Sequence, residues 1–122
     1  MGLDLAALLD RADCMREGCA SCVPVRDNPG AWLGVVMGTL ARQGRDKLTI
    51  VASPSVGSFG LWAEQLIAES TGKEGRGIVP VAGEPLAAPA SYADDRLFVY
   101  LRLGDDDNAA PDAAVEALQS AG

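Results

Sequence analysis

Apolar positions along the chain follow two rhythms, one of helical spacing and one of continuous β-branched runs. Leu3, Ala6, Ala7, Leu9 and Ala12 recur at helical intervals. They predict a helix from Leu3 to about Glu17, closed by Gly18. The loop "CASCVPVRD" leads to Asn28 and Pro29, a side-chain cap followed by a first-turn proline. The helix they open runs through Arg42 and stops at Gly44. Within it, Gly34 and Gly38 stand four apart, a pairing that permits close packing against a neighbour. "KLTIVAS", Lys47 to Ser53, is the continuous β-branched run that marks a buried parallel strand. "PSVGSFGLWAEQLIAES" returns to helical spacing, with Ser55 or Ser58 as its cap. "GIVPVAG" is a short strand that Pro80 pushes towards a sheet edge or a strand end. "RLFVYLRL", Arg96 to Leu103, is the strongest strand signal. "DDDNAAPDAAVEALQSAG" is a polar turn into a last helix, with Pro111 near its start.

Strands that alternate with helices predict an α/β layered fold with a mostly parallel sheet. Such a sheet needs cover on both faces. Only three strands are legible, and the last helix is followed by no further strand. The expectation is one partial α/β domain over residues 1–122, with sheet edges open to self-association.

Charge and size narrow the classes of function. The 122 residues suffice for a modest core, and the formal charge is −7 with no histidine. That balance argues against nucleic acid or an anionic membrane as the main partner, since both need a basic footprint. No run of about 18 apolar residues exists. "MGLDLAALLDRAD" lacks the basic region and cleavage site of a secretory signal, so a cytoplasmic location is expected. Cys14, Cys19 and Cys22 share the C-x4-C-x2-C spacing of plant-type ferredoxins. Such a cluster takes four thiolates, and neither a fourth cysteine nor a histidine is present. A zinc site fails on the same count unless a carboxylate or a second chain completes it, so no metal is expected and the thiols read as reduced. The acidic triplet Asp105 to Asp107 reads as a solvated loop or cap, because the alternation of a calcium loop is missing.

The end of the third helix, "QLIAESTGKEG", carries the candidate chemistry. Glu69 lies in the last turn, where the helix dipole disfavours a carboxylate by roughly 0.3–1 kcal/mol. On a helical wheel, Glu69 falls about 20° from Trp62, about 60° from Leu66 and about 40° from Gln65. Glu64 falls about 140° away and reads as an ordinary solvent-facing acid. A carboxylate among apolar groups at a helix C-terminus is tuned upward, as a proton-abstracting base requires. The alternative is a glutamate that reaches out to water from a fraying turn. "STGKE" is not a phosphate loop, because it follows a helix and lacks the first glycine of that motif. Gly72, with Lys73 beyond it, reads as a helix stop at the position after the cap.

"QLIAESTGK", Gln65 to Lys73, resembles the Q-x3-E-S-N-G-K segment of phosphoglucose isomerases. The longer stretch from "RDKLTIVAS" to "VPVAGEP" is similar to the isomerase part of bacterial bifunctional transaldolase/glucose-6-phosphate isomerases. The "NPGAWLGVVMGTLA" helix is similar to the one that precedes that segment in the family. The resemblance spans about Asn28 to Leu103 and implies an incomplete parallel-sheet αβα sandwich of the sugar isomerase (SIS) type. It implies Glu69 as the base that moves a proton between C1 and C2 of glucose 6-phosphate or fructose 6-phosphate through a cis-enediol. It implies Gln65 on the sugar, with Ser70, Gly72 and Lys73 as further members of the substrate segment. No cofactor is implied, and the partners would be the sugar phosphate and the rest of an isomerase chain or a homodimer. Thr71 stands where the family often has Asn. The ring-opening histidine, the Ser/Thr-rich phosphate loop and the G-G-R-[YF]-S arginine are missing. The expectation is therefore a fragment that is inactive alone. The competing expectation is a non-catalytic sugar-phosphate-binding or regulatory module on the same fold.

Overall fold

The structure, a computed structural model, describes residues 2–122. The chain divides into two compact units, Met1–Thr39 and Leu40–Gly122.

In the first unit, helix α1 spans Leu5–Gly18. It begins later than the apolar spacing suggests, because Asp4 takes the cap and its Oδ1 accepts from Ala7 N at 3.0 Å. No residue of α1 is buried, and Leu5, Leu8 and Leu9 are exposed. Helix α2 spans Pro29–Arg42. Its cap is Asn28, whose Oδ1 accepts from Ala31 N at 2.8 Å and whose Nδ2 donates to Ala20 O at 3.3 Å. Two satisfied polar ends explain how this asparagine is only 4% exposed. Within the first unit, the close packing expected of Gly34 and Gly38 has no neighbour. Both are exposed, and a Cβ at either would meet no atom within 4 Å.

The second unit receives the end of α2. Gly44, at φ 93°, turns the chain as Gly44 N donates to Ala41 O and Arg45 N to Leu40 O. This paired closure at a left-handed glycine is a Schellman stop, as the sequence predicts. Strand β1 (Lys47–Ala52) follows, then a 3-10 turn (Pro54–Val56) and helix α3 (Gly57–Thr71). Strands β2 (Val79–Ala82) and β3 (Arg96–Leu101) and helix α4 (Ala109–Ala121) complete it. The three strands form one parallel sheet in the order β2-β1-β3. The α/β class with a parallel sheet is thus present. Thr49 stands opposite Val81 and Phe98, and Ile50 opposite Ala82 and Val99.

Strand β1 is central, and Leu48 to Val51 are all buried. Pro80 sits in the edge strand β2, where a missing N–H is tolerated. Helix α3 lies on the face that carries Ile50, through small residues. A Cβ on Gly60 would come within 3.1 Å of Ala82 Cβ and 3.9 Å of Ile50 Cγ2. Ala63, one turn on, is buried as well. The opposite face carries Thr49, Phe98 and Tyr100. Tyr92, in the connection to β3, meets Phe98 edge-on at 5.0 Å, and Asp112 of α4 accepts from the Tyr100 hydroxyl at 2.9 Å. Both faces therefore have some cover. Few large groups take part: among the described residues, the buried apolar side chains are Leu48, Ile50, Val51 and Ala63.

Candidate functional site

Parallel strands joined through α3 force that helix to run antiparallel to them. Its first turn lies at the carboxyl edge of the sheet, and its last turn returns to the amino edge beside the start of β2. Gln65 and Glu69 are on this returning half. They are one turn apart, and Gln65 Nε2 donates to Glu69 Oε1 at 3.2 Å. The two site residues are brought together, but on an open face. Glu69, Gln65, Trp62 and Leu66 are all exposed, Trp62 at 57% and Leu66 at 47%.

The apolar burial expected around Glu69 is therefore not formed within the second unit. The sheet selects Gly60 and Ala63 because only small side chains let α3 approach it, and the large apolar residues fall on the outer side. Glu64 is corrected in the opposite sense. It is half-buried, not solvent-facing, and its Oε2 accepts from Ala82 N at 2.8 Å. The carboxylate thereby satisfies the last N–H of β2, an obligation that a short edge strand leaves open.

The rest of the segment closes the helix. Thr71 Oγ1 donates to Ile67 O at 2.8 Å and accepts from Ile78 N at 3.0 Å. Lys73 Nζ donates to Ser70 O at 3.1 Å, a cation on a terminal carbonyl. Gly72 is itself the cap, at φ −74°, and not the left-handed residue after it. Its need for glycine is steric, since a Cβ there would lie 2.6 Å from Ala68 O. The left-handed residues come later, Glu74 at φ 54° and Gly75 at φ 74°. They form a tight turn in which Lys73 and Arg76 exchange backbone hydrogen bonds of 2.8 and 2.9 Å. Ser70, Gly72 and Lys73 are all exposed.

At the carboxyl edge a polar cluster ties β1 to the β3–α4 connection. Ser53 is fully buried, donates to Asn108 Oδ1 at 2.6 Å and accepts from Leu103 N at 2.8 Å. Asn108 Nδ2 donates to Leu103 O at 2.7 Å, and the Tyr100 hydroxyl reaches Asn108 Oδ1 at 3.2 Å. Arg102 grips Asp112 with two bonds of 2.9 Å, and that pairing holds the Asp112 carboxyl below its ordinary range. Burial, with the Asp112 carboxylate beside it, pushes the Tyr100 phenol up. Neither Ser55 nor Ser58 caps α3, whose side-chain cap is absent. Asp106 instead ties down the 3-10 turn that precedes α3, accepting from Ser55 N at 2.8 Å, and that bond lowers its pKa. The acidic triplet thus holds an element roughly 50 residues away in sequence.

A second cluster lies mid-sheet. Arg96 Nη1 donates to Thr49 Oγ1 at 2.7 Å and to Glu84 Oε1 at 2.6 Å. Thr49 Oγ1 donates to the same carboxylate oxygen at 2.8 Å. The guanidinium also stacks 5.1 Å from the Tyr92 ring centroid. A cavity of about 460 Å³ opens at the carboxyl edge, and a cleft of about 840 Å³ lies between β3 and α4. Cys14 and Cys22 are exposed, and Cys19 is half-buried with its Sγ 3.9 Å from Met15 Sδ. Among the described residues, no group of three His, Cys, Asp or Glu side chains is placed to hold a metal ion. No described helix is long and apolar enough to cross a membrane. No family model matches the chain, and no solved structure matches it.

Proposed function

We propose that the chain is the base-bearing part of a glucose-6-phosphate isomerase of the SIS type. Glu69 is its proton-transfer base and Gln65 the residue that orients it. The observation that carries this reading is the Gln65–Glu69 contact of 3.2 Å on an open face, in a segment that resembles that of the family. The amide fixes one carboxylate oxygen and leaves Oε2 for the substrate. In the forward direction Glu69 removes the proton from C2 of the open-chain aldose. A cis-enediol results, and the same carboxyl returns the proton to C1 to give the ketose. A carboxylate suits a transfer that goes out and back between adjacent carbons, provided it is held within hydrogen-bond reach. Ring opening and phosphate binding need groups beyond the residues of this chain, so turnover by the chain alone is expected to be negligible.

The exposure of Glu69 favours a second reading, in which the same fold binds a sugar phosphate without chemistry. One substitution separates the two. Asn28 to Leu103 replaces the corresponding segment of a complete phosphoglucose isomerase, and the chimera is assayed for fructose 6-phosphate formation. The isomerase reading expects turnover that falls by at least about a hundredfold on Glu69→Gln, the loss usual for a general base, with fructose 6-phosphate still bound. A folded chimera whose turnover survives Glu69→Gln sinks the assignment. Rapid isomerisation by the isolated chain would sink the fragment reading.

A further inference from the structure

The sheet has two edges, and they are finished differently. The bonds from Val79 N to Asp46 O and from Lys47 N to Asp95 O fix which backbone groups of β2 and β3 face β1 and which face outward. On the β2 side the outward residues are Ile78, Pro80 and Ala82. Ile78 N donates to Thr71 Oγ1, Pro80 has no N–H, and Ala82 N donates to Glu64 Oε2. No outward N–H is left along β2 for another strand.

On the β3 side the outward residues are Arg96, Phe98 and Tyr100. Their backbone N–H groups meet no acceptor among the described residues. The strand also lacks the usual guards of an edge. It holds no proline, and its one charged side chain, Arg96, is occupied with Thr49 and Glu84. Leu97 and Phe98 point to opposite faces of the sheet, yet both line the cleft of about 840 Å³, so the cleft reaches round this edge.

The strand is complementary to itself. A two-fold axis normal to the sheet at Phe98 sets β3 antiparallel to β3 of a second copy. Phe98 then faces Phe98 and Arg96 faces Tyr100, so each outward N–H meets an outward C=O of the other chain. The same register sets Asp94 opposite Arg102. Asp94 is exposed, and Arg102 gives Asp112 only its Nε and Nη2, so Nη1 is open to a further carboxylate. Unlike charges therefore meet at both ends of the pair, which counters the repulsion between two chains of formal charge −7.

We propose that the open edge of β3 pairs antiparallel with β3 of a second copy, joining two sheets into one across a two-fold dimer. The proposal rests on backbone groups of the second unit and not on the isomerase reading.

Amide exchange and sedimentation of the full chain test it. At low concentration the amides of Phe98 and Tyr100 should exchange freely, while those of Val99 and Leu101, bonded to β1, stay protected. Raising the concentration about a hundredfold should protect Phe98 and Tyr100 in step with dimer formation, as mass action requires. Asp94→Arg should raise the dimer dissociation constant about tenfold, because two exposed charge pairs change sign. Phe98→Pro removes the central outward N–H but no bond to β1, and should abolish the dimer. Phe98→Ala gives up the same ring contact with Tyr92, keeps that N–H and should still dimerise. If Phe98→Pro does not fold, Asp94→Arg decides. A chain that stays monomeric, or a dimer that leaves Phe98 and Tyr100 unprotected, overturns the proposal. So does protection that ignores concentration, as a segment of the same chain laid along β3 would give. So does a dimer undiminished in Asp94→Arg or in folded Phe98→Pro. Glu69→Gln should leave the association unchanged, so failure here and failure of the isomerase reading are told apart.

Discussion

Ser53→Ala probes the joint between β1 and the β3–α4 connection. Ser53 is fully buried and makes two hydrogen bonds, of 2.6 Å to Asn108 and 2.8 Å from Leu103 N. Alanine removes both and adds no clash. Asn108 Oδ1 is left with only a share of the single Tyr100 proton, which lies 3.2 Å from it and is directed chiefly at Asp112, at 2.9 Å. Leu103 N–H loses its acceptor, and strand β3 has already ended at Leu101, so no ladder partner replaces it. One net hydrogen bond is worth about 1 kcal/mol, and stranding a partly buried donor costs about 1–3 kcal/mol. A loss of about 2 kcal/mol is expected. For a unit of this size it corresponds to a fall in Tm of roughly 8–16 °C. Urea unfolding followed by far-UV circular dichroism measures it, with the midpoint shifting at constant m-value. Ser58→Ala is the control, since Ser58 is exposed and should change stability by less than about 0.5 kcal/mol. If Ser53→Ala matches that control at unchanged m, the cluster does not join these elements.

Three further outcomes follow from the geometry. Glu64→Ala should destabilise by about 1–2 kcal/mol through the loss of its bond to Ala82 N, while Glu74→Ala, at an exposed turn, should be nearly neutral; amide exchange at Ala82 reports the difference. Acid unfolding should begin as pH falls through the ordinary carboxyl value of 3.8, since Asp106, Asp112 and Asp95 are all held below it in the folded chain. Depressed folded values mean that their stabilisation is complete above that pH and lost below it, and Asp112→Asn should flatten the acid limb of a stability–pH profile. In a Trp32→Phe background, Trp62 should be freely quenched by acrylamide in this chain and shielded in the isomerase chimera. Equal quenching in both would leave Glu69 without the apolar cover that a base requires.

Legibility tracks how local each cause is. The Asn28–Pro29 start and the Gly44 stop of α2 were readable because every group involved lies within a few residues. The β1 run was readable because a central parallel strand is apolar on both faces, and Lys47–Ala52 carries that pattern unaided. The roles of Ser53, Asn108 and Asp106 were not readable. Their partners lie about 50 residues away, and nothing in "VASPS" or "DDDN" marks a buried polar contact. Glu84 and Arg96 met Thr49 for the same non-local reason, through the parallel register that sets β3 beside β1.

The two acids of α3 make the point about function. The wheel separates Glu64 from Glu69 correctly, but it assigns the inner side to the stripe with the larger apolar groups. Close approach to a sheet obeys a different rule. Gly60 and Ala63 let the backbone within contact of Ala82, and that choice turns Phe59, Trp62 and Leu66 outward with Gln65 and Glu69. Glu64 becomes the structural acid, spent on an orphaned strand N–H. Glu69 keeps only a neighbouring amide and an open oxygen. A carboxylate so arranged has the reach of a general base but no apolar cover within the second unit. On the isomerase reading that cover must come from whatever packs on the Phe59–Trp62–Leu66 face. On that reading, the Phe59–Trp62–Leu66 surface is the one on which the working site is assembled.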